Sequence, residues 1–154
     1  MNSKWLKRGT ALVVLLFLIF FHIPVIQIET ENQTYYLRSH SFTLTWIHSV
    51  EHEPWSEIYE RQNDALVLTE TYFKTFGAGV PSDGKIIKAE DGFVHMEVNR
   101  PMEKVSIVVS ENVQTTIETS TKDIPLYELV ENYSEVEITA QDFYLWNFLG
   151  GEFL

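Results

Sequence analysis

F-T-L-T-W-I-H-S-V-E-H-E-P-W-S-E-I-Y-E, Phe42 to Glu60, is the stretch whose reading decides the fold. Phe42, Leu44 and Trp46 alternate with Thr43, Thr45 and Ile47, and a period of two puts alternate side chains on opposite faces of a strand. An acidic, Pro-containing segment follows, and then a second aromatic run, which together predict a β-hairpin. With Glu51-His52-Glu53-Pro54 as a four-residue loop, Val50 pairs with Trp55, His48 faces Glu57 and Trp46 faces Tyr59. All six share the face carrying Phe42 and Leu44, so His48 and Glu57 form a polar pair on an apolar surface. Glu70 follows Leu66 and Leu68 at spacing two and is expected to join them, near that pair.

The same period recurs along the chain. Leu66, Leu68 and Tyr72 alternate with Val67, Thr69 and Phe73, and V-H-M-E-V (Val94 to Val98), V-S-I-V-V (Val105 to Val109), T-T-I-E-T (Thr115 to Thr119) and E-V-E-I-T-A (Glu135 to Ala140) behave alike. β-Branched and aromatic residues fill these runs, and turn clusters at Pro81–Gly84 and Glu90–Gly92 separate them. This pattern predicts an all-β chain, an antiparallel β-sandwich of Ig-like or jelly-roll-like kind. One short helix is predicted over Ile124–Tyr133, with Asp123 as N-cap and Pro125 in its first turn.

The N-terminus reads differently. Lys4, Lys7 and Arg8 precede A-L-V-V-L-L-F-L-I-F-F (Ala11 to Phe21), and Ile23, Val25, Ile26 and Ile28 prolong the apolar character. A cationic start before an apolar run reads as a secretory signal or a retained anchor. H-I-P-V-I-Q-I offers no small-x-small cleavage pattern, which favours the anchor. A helix from Gly9 to Ile28 would span about 30 Å, the depth of the hydrocarbon core. Residues 1–28 are therefore expected to be a cytoplasmic stub and transmembrane signal-anchor, and residues 29–154 an extracytoplasmic β-sandwich, by the positive-inside bias. All 22 acidic residues lie in that second part, against eight of the 11 basic ones, which leaves a formal charge of about −14. Such a surface excludes nucleic acid and anionic lipid as broad-face partners. The chain has no cysteine, so neither a thiol enzyme nor a Cys-zinc module is available, and its hydrophobic core must hold an exported domain together.

Three constellations bear on chemistry. His48, Glu57 and Glu70 suit zinc or manganese by residue type, but they lack a spaced ligand signature, and a buried hydrogen-bonded pair fixing the hairpin register is the favoured reading, with no metal or cofactor expected. Ser49 follows His48 directly and points to the other strand face, and no nucleophile elbow occurs, so no enzymatic activity is expected. F-K-T-F-G-A-G-V-P (Phe73 to Pro81) places Gly77, Ala78 and Gly79 in a turn that can present N–H groups to an anion or serve as a tight corner. D-F-Y-L-W-N-F-L-G-G-E-F-L (Asp142 to Leu154) is too short to cross a bilayer. It reads either as a strand buried on both faces or as a docking segment with Tyr144, Trp146 and Phe148 as contacts.

H-S-V-E-x-x-P-W-x-E-x-Y (His48 to Tyr59), followed by E-T-x-F-x-x-F-G-A-G-x-P (Glu70 to Pro81), resembles the family catalogued as domain of unknown function 1850. The resemblance implies a small bacterial exported or membrane-anchored protein. It further implies a gene neighbourhood of TAXI-type tripartite ATP-independent (TRAP) transporters, which import organic acids with an extracytoplasmic binding protein. It implies no activity. The expected function is thus a membrane-anchored accessory or docking subunit, its partner the membrane subunit or binding protein of such a transporter. The alternatives are a stand-alone extracytoplasmic module binding a small anion or metal, and a metal-dependent hydrolase.

Overall fold

The computed structural model describes residues 3–87 and 92–154, so most of the turn expected at Glu90–Gly92 lies outside the described residues. Helix α1 (Ser3–Phe20) leads into strands β1 (His22–Glu29), β2 (Thr34–Leu37), β3 (Ser41–Ile47), β4 (Pro54–Gln62) and β5 (Ala65–Phe73). Then come β6 (Lys85–Ile87), β7 (Val94–Met102), β8 (Val105–Val109), β9 (Thr116–Glu118), β10 (Asp123–Pro125), β11 (Ser134–Tyr144) and β12 (Glu152–Phe153). Five strands form one sheet in the order β12-β2-β1-β11-β8, and seven form the other in the order β10-β9-β3-β4-β5-β7-β6. Among the described residues every pairing is antiparallel except β12 with β2.

The two sheets close on one core. Ile26 and Ile28 of β1 and Val136, Ile138 and Ala140 of β11 meet Phe42 and Leu44 of β3, Tyr59 of β4 and Leu66 and Leu68 of β5. Between them Thr43, Glu135, Glu137 and Thr139 point away, the alternation that makes one sheet face apolar. Burying each large side chain contributes about 1.5–3 kcal/mol, and no disulfide is present to assist. A second, smaller cluster covers the outer face of β1, where Val25, Tyr36 and Phe143 pack with Ile23 and Phe153. Tyr36 and Phe143 meet edge to face at 4.7 Å, and β12 seals them when Leu154 N donates to Tyr36 O at 3.0 Å.

Two expectations are corrected. The helix does not run from Gly9 to Ile28: α1 ends at Phe20, and His22–Glu29 is a strand. Among the described residues no helix is long and apolar enough to cross a membrane. The β domain therefore starts at His22, ahead of Glu29. Pro24 would cost a helix interior about 3 kcal/mol, whereas Ile23, Val25, Ile26 and Ile28 are β-branched and gain partners in β11 along the whole strand. Pro24 itself sits where β1 pairs with β11 alone, because the ladder to β2 begins at Ile26. The predicted helix over Ile124–Tyr133 is likewise replaced. Ile124 and Leu126, two apart, are both buried, β10 pairs with β9, and Leu126 N donates to Thr115 O at 3.0 Å. Within the predicted span, one 3-10 turn, Leu126–Glu128, follows Pro125 directly.

Candidate functional site

The β3–β4 hairpin places the first group of side chains. Its register sets Trp46 opposite Trp55, Leu44 opposite Glu57 and Phe42 opposite Tyr59. The expected pairings of His48 with Glu57, Val50 with Trp55 and Trp46 with Tyr59 are therefore wrong. The loop closes earlier, through His48 N to Glu53 O at 2.8 Å and His52 N to His48 O at 2.9 Å, with His52 at a φ of 55°. The face assignment survives for Trp46, Trp55, Glu57 and Tyr59 because the ladder slipped by an even number of residues, whereas Val50 is exposed in the loop. His48 leaves the ladder. Its ring stacks on Trp55, centroids 5.3 Å apart, and its Nδ1 lies against the Glu51 carboxylate of its own loop.

Glu57 stays on the inner face without His48. The Tyr59 hydroxyl donates to Glu57 Oε2 at 2.5 Å, and the Tyr59 ring, 2 % exposed, stacks on Phe42 at 5.2 Å. Burial pushes the Glu57 carboxyl above its usual range, against the opposing pull of the Tyr59 hydroxyl, the Trp55 indole and the Arg100 charge. Burial, then the charge of Glu57, pushes the Tyr59 hydroxyl up in turn. Trp55 is buried between Trp46 (5.8 Å) and Phe73 (4.9 Å), both stacked on it. Its indole Nε1 is buried and acts on the nearby Glu57 carboxyl without making a hydrogen bond of ordinary length and angle.

These groups line a cavity of about 490 Å³ between the hairpin sheet and the edge strand β8. Leu44, Trp46, Leu68, Met102, Val105 and Ile107 make its apolar walls, and Glu57, Tyr59, His48, Ser49 and Arg100 supply polar groups. Arg100 lies on β7 opposite Leu68, and its guanidinium pairs with Asp83 at the surface. Ala78, Gly79 and Pro81 border the opening. Gly79 holds a φ of +90°, which side-chain-bearing residues resist, and a Cβ on Gly77 would run into the Glu51 carboxylate. The glycine turn and the His48–Glu51 pair are thereby packed against each other at the rim. Volume, mixed lining and a buried donor short of a well-formed hydrogen bond are the attributes of a small-molecule site.

Glu70 does not belong to it. Between Leu68, which pairs with Tyr59, and Glu70, which pairs with Ile58, Thr69 is an extra residue in β5. This bulge reverses the side-chain phase. Thr71 (0 % exposed) and Phe73 point inward, while Glu70 turns outward and accepts from the Tyr72 hydroxyl, whose ring meets His95 at 4.1 Å. Among the described residues no three His, Asp or Glu side chains are grouped to hold a metal ion. Tyr144, Trp146 and Phe148 lie elsewhere, where α1 meets β1. Trp55, Glu57, Tyr59 and Arg100 carry the polar chemistry of the cavity; the sequence placed Trp55 and Tyr59 on the inner face without assigning them to a site, and it did not single out Arg100. Arg100 did leave a signal: it continues the spacing of Val94, Met96 and Val98, a cation in phase with an apolar face.

No curated protein and no solved structure matches the chain. Residues 42–126 match the family described as Domain of unknown function (DUF1850). That span is more than half of the chain, and it contains every residue lining the cavity. The chain belongs to this DUF1850 family.

Proposed function

We propose that this protein is an extracytoplasmic, membrane-tethered binding module that takes a small organic acid into the cavity between the hairpin sheet and β8. The observation carrying this reading is the buried Trp55 Nε1, a donor short of a well-formed hydrogen bond, in the wall of a 490 Å³ cavity that also contains Arg100. A carboxylate gives the indole an acceptor at bonding distance and gives the guanidinium, already paired with Asp83 at the surface, a second anion to bridge. The ligand's carbon skeleton then covers Leu44, Leu68 and Met102. Glu57 does not forbid an anion, since burial favours its neutral form. Small carboxylates should quench or shift the emission of Trp46 and Trp55 in the full chain, held in neutral detergent, and should do so saturably. Arg100→Gln should weaken that binding about tenfold or more, the worth of a charge-assisted hydrogen bond. A panel of mono- and dicarboxylates that gives no saturable response, or an Arg100→Gln protein that binds as wild type, defeats the reading.

A role as accessory subunit of a TAXI-type TRAP transporter is compatible with this and draws on a different surface. Family membership and the exposed aromatic residues beside α1 support it, and co-purification of a transporter component with the full chain from native membranes tests it.

A further inference from the structure

α1 stands clear of both sheets. Every described side chain from Lys7 to Phe20 is exposed, including nine consecutive large apolar ones from Leu12 to Phe20. A surface that is apolar all round is matched by lipid rather than by water. Its apolar part, Gly9 to Phe20, is about 18 Å long at 1.5 Å per residue, well short of a hydrocarbon core of about 30 Å. So short a helix draws whatever follows it toward the bilayer. No linker intervenes: Phe21 N donates to Phe17 O at 2.8 Å as the helix ends, and β1 begins at His22.

The neighbour of that junction is the 3-10 turn Leu145–Leu149. His22 pairs with Tyr144 in the β1–β11 ladder, their rings 5.4 Å apart, and Tyr144 stacks on Trp146 at 4.6 Å, nearly parallel. Phe148 packs its edge against Phe143 at 4.8 Å yet remains 60 % exposed, and Trp146 is 53 % exposed. The Tyr144 N–H is taken up by Asn147 Oδ1 at 2.9 Å, so the turn is held in place rather than trailing.

We propose that this turn is a second membrane contact, seated at the headgroup–acyl boundary beside the foot of α1, with Trp146 and Phe148 as its anchors. Trp146, an aromatic ring with one polar atom, favours that boundary, and Phe148 adds apolar surface on its acyl side. The contact fixes how the sandwich stands on the bilayer, because helix and turn grip adjacent points at one end of the sheet containing β1 and β11. The domain's negative charge makes a zwitterionic surface the fitting partner.

The inference rests on α1 being embedded, and the experiment separates the two. Full-length Trp5→Phe protein is reconstituted into phosphatidylcholine vesicles, with and without bromine near the lipid carbonyls, and flotation is scored first. Floating protein should lose Trp emission to the brominated lipid, and its Trp146-dependent emission should become about threefold or more less sensitive to aqueous iodide, as for an interfacial indole. Adding Trp146→Phe should abolish the lipid quenching and leave flotation intact. Protein that floats with Trp146 unquenched by lipid and open to iodide overturns the contact while α1 stays embedded. Protein that fails to float overturns both. Shielding of Trp146 that grows with protein concentration in detergent, without lipid quenching, assigns the patch to a second copy and overturns the proposal too.

Discussion

Tyr59→Phe is the most exacting test of the cavity's polar wall. The substitution keeps a ring that is 2 % exposed and stacked on Phe42, and deletes only the hydroxyl that donates to Glu57 at 2.5 Å. The cost depends on the charge of the acceptor. A hydrogen bond to an ionised group contributes about 1.5–3 kcal/mol and one to a neutral group about 0.5–1.5 kcal/mol. Glu57 has a folded-state pKa raised above its ordinary 4.5. Its contribution to stability is therefore fully present below that ordinary value and is lost as pH rises through the raised one. The hydroxyl opposes this loss by favouring the carboxylate, so Tyr59→Phe should raise the Glu57 pKa further and steepen the decline. Urea unfolding of the full chain in neutral detergent, followed by Trp emission, should show a difference from wild type of about 1.5–3 kcal/mol at about pH 8, shrinking to about 0.5–1.5 kcal/mol as Glu57 protonates. Glu57→Gln in the same background should remove that pH dependence. An equal difference at both ends of the range, or a slope that survives Glu57→Gln, refutes the argument.

Trp146→Ala should change unfolding free energy by no more than about 0.5 kcal/mol, because a half-exposed ring stacked on Tyr144 lacks the packing of a core residue; a loss of several kcal/mol in the same urea experiment would mean the turn is structural. Gly79→Ala forces a side chain into a φ of +90° and should cost about 1–2 kcal/mol, with carboxylate binding, read by Trp emission, weakened because the cavity rim moves.

Local sterics and the water-to-core contrast were enough to mark β3, β5, β8 and β11. In each, alternation along a few residues encodes which side chains face inward, and that requires no knowledge of the partner strand. The inner-face placement of Trp46, Trp55, Glu57 and Tyr59 was legible for the same reason, and it survived a wrong register because an even slip preserves phase. The glycine turn was legible too, since a φ of +90° at Gly79 is a local demand. The helix–strand choice at His22–Glu29 was not. A run of Ile and Val around Pro24 is apolar in either form, and only pairing with β11 and β2 selects the strand. Nor could local pattern reveal the extra residue at Thr69, which exists only against the β4 ladder and turns Glu70 outward. Arg100 enters the cavity because β7 pairs with β5, far from the hairpin in sequence. Side-chain phase is set within a strand and can be read along it. Register, bulges and the cavity between sheets are set by hydrogen bonds and packing between segments distant in the chain, and those exist only once the chain has folded.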